Sequence, residues 1–176
     1  MQITIWTDGG CHGNPGPGGW AFIITAGGAG AENTVLCENN GGEKATTNNK
    51  MELCAVINAL ERLNTLDVKA NADVEICDAN HYGIEVCTDS QYVQKGITEW
   101  IYNWKAKGWR TSGKQPVKNQ DLWRKLDALV QAGYRGVPFR WKWVKGHAGN
   151  YYNERCDALV QDAINAIAQR GNALQY

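Results

Sequence analysis

Apolar residues are almost unbroken from Gln2 to Thr7, as expected of a strand covered on both faces. Trp20 to Thr25 reads as a second strand and Asn33 to Glu38 as a third, joined by the turn Gly27-Gly28-Ala29-Gly30, which predicts an antiparallel meander. The period then changes. After the capping cluster Thr46-Thr47-Asn48-Asn49, spacings of three and four carry a helix from Met51 to Leu63. Gly83 to Ser90 is the next strand, followed by a helix over about Ser90 to Lys95 that ends near Gly96, and a second from Glu99 to Lys107 with Trp100 and Trp104 at i,i+4. A helix over about Asn119 to Gln131, a strand from Phe139 to Val144 and a last amphipathic helix from about Asn153 to Ala168 complete an α/β pattern. Asn64 to Tyr82 alternates only weakly and reads as an irregular loop, with room for a short strand.

The first strand is expected to stop at Asp8, because the run from Gly9 to Gly19 is so rich in Gly and Pro that neither helix nor strand should continue through it. Such a loop suits the close approach of backbone to a ligand. It equally suits a tight hairpin with no ligand, and the residues leave both readings open.

The 176 residues fit one domain of ordinary size with a real core. The first residues lack a leader pattern and no apolar run approaches the roughly 18 residues of a membrane span, so a soluble, cytoplasmic chain without membrane contact is expected. Six scattered cysteines, with no Cys-x-x-Cys, read as reduced thiols in a chain held by its core. The net charge of zero conceals a division along the chain. Residues 1–94 hold four Lys/Arg against twelve Asp/Glu, and residues 95–145 hold twelve against three. The basic block also contains Trp100, Trp104, Trp109, Trp123, Trp141 and Trp143. Lysines interleaved with aromatics suit a nucleic-acid backbone.

Two apolar runs end in the same way, Thr7-Asp8 and Thr88-Asp89. If these strands are parallel neighbours, their aspartates face each other at the crevice where open α/β sheets bind ligands. Glu52 shares a helical stripe with Val56, Ala59 or Leu60, and Leu63, which sets a carboxylate at the margin of a buried face; it also suits a capping box closed by Asn49. Asp157 in the first turn of the last helix would complement the helix dipole. Asp73, Glu75, Asp78 and His81 could be drawn as ligands, but read better as an acidic surface loop. Were Asp8, Glu52, Asp89 and Asp157 to converge, they would repel one another unless cations lay among them. Mg²⁺ prefers such oxygens, and two ions about 3.5–4 Å apart can clamp the attacking water and the leaving oxygen of a phosphodiester.

Six segments in order, Thr7 to Gly19, Thr46 to Leu53, Thr88 to Val93, Gly96 to Thr98, Pro116 to Asn119, and Trp143 to Gly149 with Asn153 to Asp157, resemble bacterial type 1 ribonuclease H over nearly the whole chain. The resemblance implies a ribonuclease H-like five-stranded mixed sheet, a meander plus parallel strands, with helices on both faces. The whole chain, residues 1–176, would be a single domain with a basic protrusion at about 99–118 and an atypical loop at about 64–82. It further implies a two-metal endonuclease that cuts the RNA strand of RNA–DNA hybrids to leave 5′-phosphate and 3′-hydroxyl ends, with Mg²⁺ as cofactor and Mn²⁺ as a substitute.

By position, Asp8, Glu52, Asp89 and Asp157 resemble the metal-binding tetrad, and His147 the histidine of proton transfer or product release. Cys11, Gly13, Asn14, Asn48, Asn49 and Gln91 match readers of RNA 2′-hydroxyls, the group that separates RNA from DNA. Thr47 and Asn119 match a DNA-phosphate pocket, and Tyr92, Trp104, Thr111 and Ser112 a channel for the DNA strand. The partner implied is the hybrid itself, bound by a monomer with no obligate protein partner. The chain departs from the family pattern at Ala45, where an arginine is usual and Lys44 stands alongside, in the long segment 64–82, and at Asn150-Tyr151-Tyr152, where His-Pro-Glu is usual. Two rival readings remain. One is a DNA-cutting nuclease on the same sheet, which the Asn and Gln set disfavours; the other is a non-catalytic hybrid-binding module, which would lack one of the carboxylates.

Overall fold

The computed structural model describes residues 2–27, 33–66 and 83–173. The Gly27–Gly30 turn and the stretch from Asp67 to Tyr82, including Asp73, Glu75, Asp78 and His81, lie largely or wholly outside them. Five strands form one sheet in the order β3-β2-β1-β4-β5: β1 (Gln2–Cys11), β2 (Gly16–Gly27), β3 (Thr34–Thr46), β4 (Gly83–Thr88) and β5 (Phe139–Trp143). The first three pair antiparallel, as the meander predicts, while β4 joins β1 in parallel and β5 joins β4 in parallel.

Side chains alternate faces along these strands, and the two faces bury different helices. Ile3 and Ile5 of β1 with Phe22 and Ile24 of β2 pack against Leu53, Val56 and Leu60 of α1 (Asn48–Thr65). Ala21 and Ile23 pack on the other side against Cys156, Val160 and Ile164 of α5 (Tyr151–Ala173). Among the described residues no helix is long and apolar enough to cross a membrane.

The strands run further than the hydrophobic pattern indicates. β1 does not stop at Asp8; Gly9, Gly10 and Cys11 pair with Trp20, Gly19 and Gly18 of β2. The glycines are strand residues under closely approaching helices. A Cβ on Gly9 would lie 2.5 Å from the Met51 carbonyl carbon of α1, and one on Gly19 would lie 2.8 Å from the Val160 oxygen of α5. Their missing side chains let both helices press onto the sheet at the level of Asp8. The hairpin is therefore real, with its turn shortened to the residues between Cys11 and Gly16.

Helix boundaries shift for equally local reasons. Thr47, in extended conformation, caps α1 by accepting from the Lys50 amide at 3.3 Å, so Asn49 is inside the helix and Glu52 is not its capping-box partner. The chain does not leave helical form at Gly96. A helix α2 (Gln91–Lys95) passes through a π-helical turn (Gly96–Trp100) into α3 (Ile101–Ala106), and Gly96 is glycine because a Cβ there would run into the Trp123 indole. Trp123 belongs to α4 (Gln120–Ala132), which starts after Asn119 in left-handed conformation at φ 56°. Helix α5 begins two residues before the expected start because Asn150 caps it, its Oδ1 accepting from the Asn153 amide at 3.1 Å. Asp157 therefore sits in the second turn, beyond the reach claimed for a simple dipole pairing.

Candidate active site

Thr7 and Thr88 are register partners in the parallel β1–β4 pair, so the residues that follow them, Asp8 still within β1 and Asp89 just past the end of β4, lie at the same level of the sheet. Glu52 comes to them from the second turn of α1, which the bare Gly9 admits. One oxygen of each of these three carboxylates lies within 4.8 Å of the others. Asp157 stands outside that group but lines the same cleft of about 520 Å³, together with His147, Cys11, Asn48, Asn49, Gln91 and Tyr92.

Burial and mutual repulsion dominate the electrostatics. Desolvation, then the charges of Asp89 and Asp157, push the Asp8 carboxyl up to about 7, although the Gly9 amide donates to its Oδ1 at 2.9 Å. Burial raises Glu52 well above the ordinary carboxylate value, with Asp8 and Asp89 adding to the effect. Glu52 Oε2 is buried with no hydrogen-bond partner. A buried carboxylate oxygen aimed into an acidic group fits a hard cation, which would neutralise the repulsion and fill the orphaned acceptor.

Sequence reasoning missed the groups that hold Asp89. Asn153, nearly fully buried, donates from Nδ2 to Asp89 Oδ2 at 3.3 Å, and Trp143 Nε1 donates to the Asp89 carbonyl at 2.9 Å. The signal was present, since Asn153 lies four residues before Asp157 and so on the same helix face. A Cβ on Gly146 would stand 2.8 Å from Asp89 Oδ2, which brings the loop of exposed His147, itself at φ 53°, against this carboxylate.

The remaining expected residues divide between two places. Asn14 Oδ1 accepts from the Asn48 amide at 3.2 Å and ties the β1–β2 turn, with Gly13 at φ 71°, to the start of α1. Neither Gly13, Asn14, Thr47 nor Asn119 lines the carboxylate cleft. Thr47 spends its hydroxyl on the helix cap, and Lys50 beside it is ion-paired to Glu43 at 2.7 Å, while Lys44 is exposed. Trp104, Thr111 and Ser112 line a separate hollow of about 380 Å³ with Trp100, Lys107 and Arg110. Tyr92 connects the two: its ring meets Trp100 and Trp123 edge-on, and its hydroxyl accepts from Asn119 Nδ2 at 3.3 Å and Trp123 Nε1 at 3.0 Å.

In the loop after His147, Asn150 supplies the cap of α5 and Tyr152 stacks on Trp6 at 5.4 Å. Cys11, Cys37, Cys54, Cys87 and Cys156 are free thiols, and burial raises Cys156, next to the acidic group, far above its ordinary value.

A mixed sheet whose parallel strands β1 and β4 bring Asp8 and Asp89 to one level, faced by carboxylates from a helix on each side, defines a carboxylate-centred α/β nuclease. The ribonuclease H family profile matches residues 1–165, and the chain belongs to that family, enzymes that cleave RNA in RNA–DNA hybrids and depend on metal. Ribonuclease H of Treponema denticola is 51% identical over 167 residues, covering 95% of this chain and 99% of its own. Among solved structures, LC9-RNase H1, a type 1 enzyme with the type 2 active-site motif, superposes with a TM-score of 0.70 at 31% identity, covering 94% of this chain and 72% of that one. LC11-RNase H1 in complex with RNA/DNA hybrid gives 0.66 at 25% identity, covering 94% of this chain and 99% of that one.

Proposed function

We propose that this chain, acting as a single-domain monomer in the cytoplasm, hydrolyses the RNA strand of RNA–DNA hybrids by a two-metal mechanism that leaves 5′-phosphate and 3′-hydroxyl ends. The observation that carries the reading is the trio Asp8, Glu52 and Asp89 within 4.8 Å, with one Glu52 oxygen buried and unpartnered. Asp157, on the same cleft, completes the ligand set, and Mg²⁺ suits four hard oxygen donors, with Mn²⁺ able to replace it. Two such ions, when bound, supply activation of the attacking water and stabilisation of the leaving 3′-oxygen. Asn153 and Trp143 hold Asp89 in place for that role. His147, exposed on its loop beside Asp89, would donate the proton that the leaving 3′-oxygen takes up and regain one from solvent, or assist product release.

Cys11, Gly13 and Asn14 in the turn, Asn48 and Asn49 at the start of α1, and Gln91 at the start of α2 meet the ribose 2′-hydroxyls, a reading supported by the Asn14–Asn48 bond and by Gln91 on the cleft wall. The DNA strand takes the other side, with a phosphate at Thr47 and Asn119 and its sugars along Tyr92, Trp104, Thr111 and Ser112, beside Lys107 and Arg110. The test is a substrate panel of RNA–DNA hybrid, duplex RNA and duplex DNA of one sequence, with Mg²⁺ or with chelator. Cleavage confined to the RNA strand of the hybrid, and only with Mg²⁺, is expected. Comparable cutting of duplex DNA would overturn the reading.

A further inference from the structure

The cleft has a second histidine that the hybrid-cleaving reading does not use. His12 is exposed in the β1–β2 turn, four residues past Asp8, and its Nε2 lies 2.8 Å from Oε1 of Gln161. Gln161 is on α5, one helical turn beyond Asp157 and on the same face. Both side chains line the carboxylate cleft. A carboxamide oxygen only accepts, so the imidazole Nε2–H is the donor. His12 is also the residue whose backbone closes the turn, its amide donating to the Pro17 carbonyl at 2.8 Å.

The turn is anchored on its other side as well. Asn14 holds it to α1 through the Asn48 amide, and the Cys11 thiol sits against the Gly16 and Thr46 carbonyls at 3.3 and 3.4 Å. The His12–Gln161 bond is thus its tie to α5 across the mouth of the cleft. Packing of Gly10 and Gly19 on Val160 fixes the strands to α5, but without this bond the exposed tip of the turn would be hydrogen-bonded only to the α1 side and to β3.

We propose that His12 and Gln161 form a latch that positions the ribose-reading turn against α5, making them positioning residues for the RNA strand. The proposal rests on the hybrid-cleavage reading. Losing the latch should weaken hybrid capture and leave the carboxylates, and hence the chemical step, intact.

The test compares the full-length chain with His12→Phe, Gln161→Leu, the double variant and Gln161→Glu, which keeps an acceptor for the imidazole. His12→Phe and Gln161→Leu should each raise KM for the hybrid about five-fold, the effect of one lost hydrogen bond, with kcat within about two-fold of wild type. The double variant should be no worse than either single one; Gln161→Glu adds a charge to the cleft and is therefore read only by the exchange of the His12 amide. Hydrogen exchange of the His12 amide, measured without metal or substrate, should quicken in Gln161→Leu and not in Gln161→Glu. Multiplying losses in the double variant, an unchanged KM in the single ones, or His12 amide exchange as fast in Gln161→Glu as in Gln161→Leu would overturn the proposal. Failure of the wild-type chain to cut hybrid would count against the parent reading alone, and an unchanged exchange rate would then still overturn the latch.

Discussion

In the cleft, Asp8, Glu52 and Asp89 crowd their oxygens within 4.8 Å and leave one buried oxygen without a partner. In the neighbouring aromatic block, Trp123 is fully buried with its indole N–H bonded to Tyr92, its ring edge-on to Trp104 and Tyr92, and Lys105 paired to Asp127 at 2.8 Å. The cleft is assembled from four separate elements of the chain and is electrostatically unfinished. The block comes almost entirely from one continuous stretch, residues 91–132, and satisfies itself. The contrast separates a part kept for chemistry at a cost in stability from a part that holds shape and presents Lys107 and Arg110, which form no ion pair among the described residues.

The largest expected effect strikes the cleft. Asp8→Asn keeps the oxygen that accepts from the Gly9 amide, so the fold survives, yet a ligand charge is gone. Cleavage with Mg²⁺ should fall by about 10⁴-fold in single-turnover measurements, while hybrid binding persists. Turnover within a few-fold of wild type would erase the chemical half of the comparison.

The next effect belongs to the block and should run the other way. Trp123→Ala empties the space against Gly96, Tyr92 and Trp104, which should cost about 3–5 kcal/mol in urea unfolding. The folded fraction should retain kcat within a few-fold, because the indole bonds to Tyr92 and does not line the cleft of Asp8, Glu52, Asp89 and Asp157. A stability close to wild type would show that the block does not hold the shape attributed to it.

The two regions also differed in how far the sequence disclosed them. The repeated ending Thr-Asp placed Asp8 and Asp89 correctly, because parallel register carries over residue by residue. The α1 stripe of Glu52, Val56, Leu60 and Leu63 is buried as its spacing required. Glycine was misread twice for one reason. At Gly9 and Gly96 local propensity points to a break, whereas each is dictated by a helix or an indole arriving from a distant part of the chain. The Asn153 bond to Asp89 and the His12 bond to Gln161 span 64 and 149 residues, separations at which no local pattern operates. The expected start of α5 at about Asn153 falls late because the apolar spacing carries no trace of the cap, which Asn150 supplies from before the helix.

The cost in stability of the cleft can be read directly from its pH dependence. Asp8 titrates near 7 in the folded chain and at its ordinary 3.8 when unfolded, so between those values the folded state binds more protons. Its contribution is fully present below 3.8, declines as pH rises, and has become a penalty above 7. Asparagine at this position carries no such penalty, and removing the Asp8 charge also relieves Glu52, whose shift has the same sign. In chelator, Asp8→Asn should therefore match wild type near about pH 4 and exceed it by on the order of 3 kcal/mol at about pH 8, measured by urea unfolding. Adding Mg²⁺ at the higher pH should stabilise wild type and close much of the gap, since a ligand of the folded state alone raises its stability by mass action. A gap that stayed constant with pH would mean that burial of the Asp8 carboxyl, together with the charges of its neighbours, is not what makes the cleft costly.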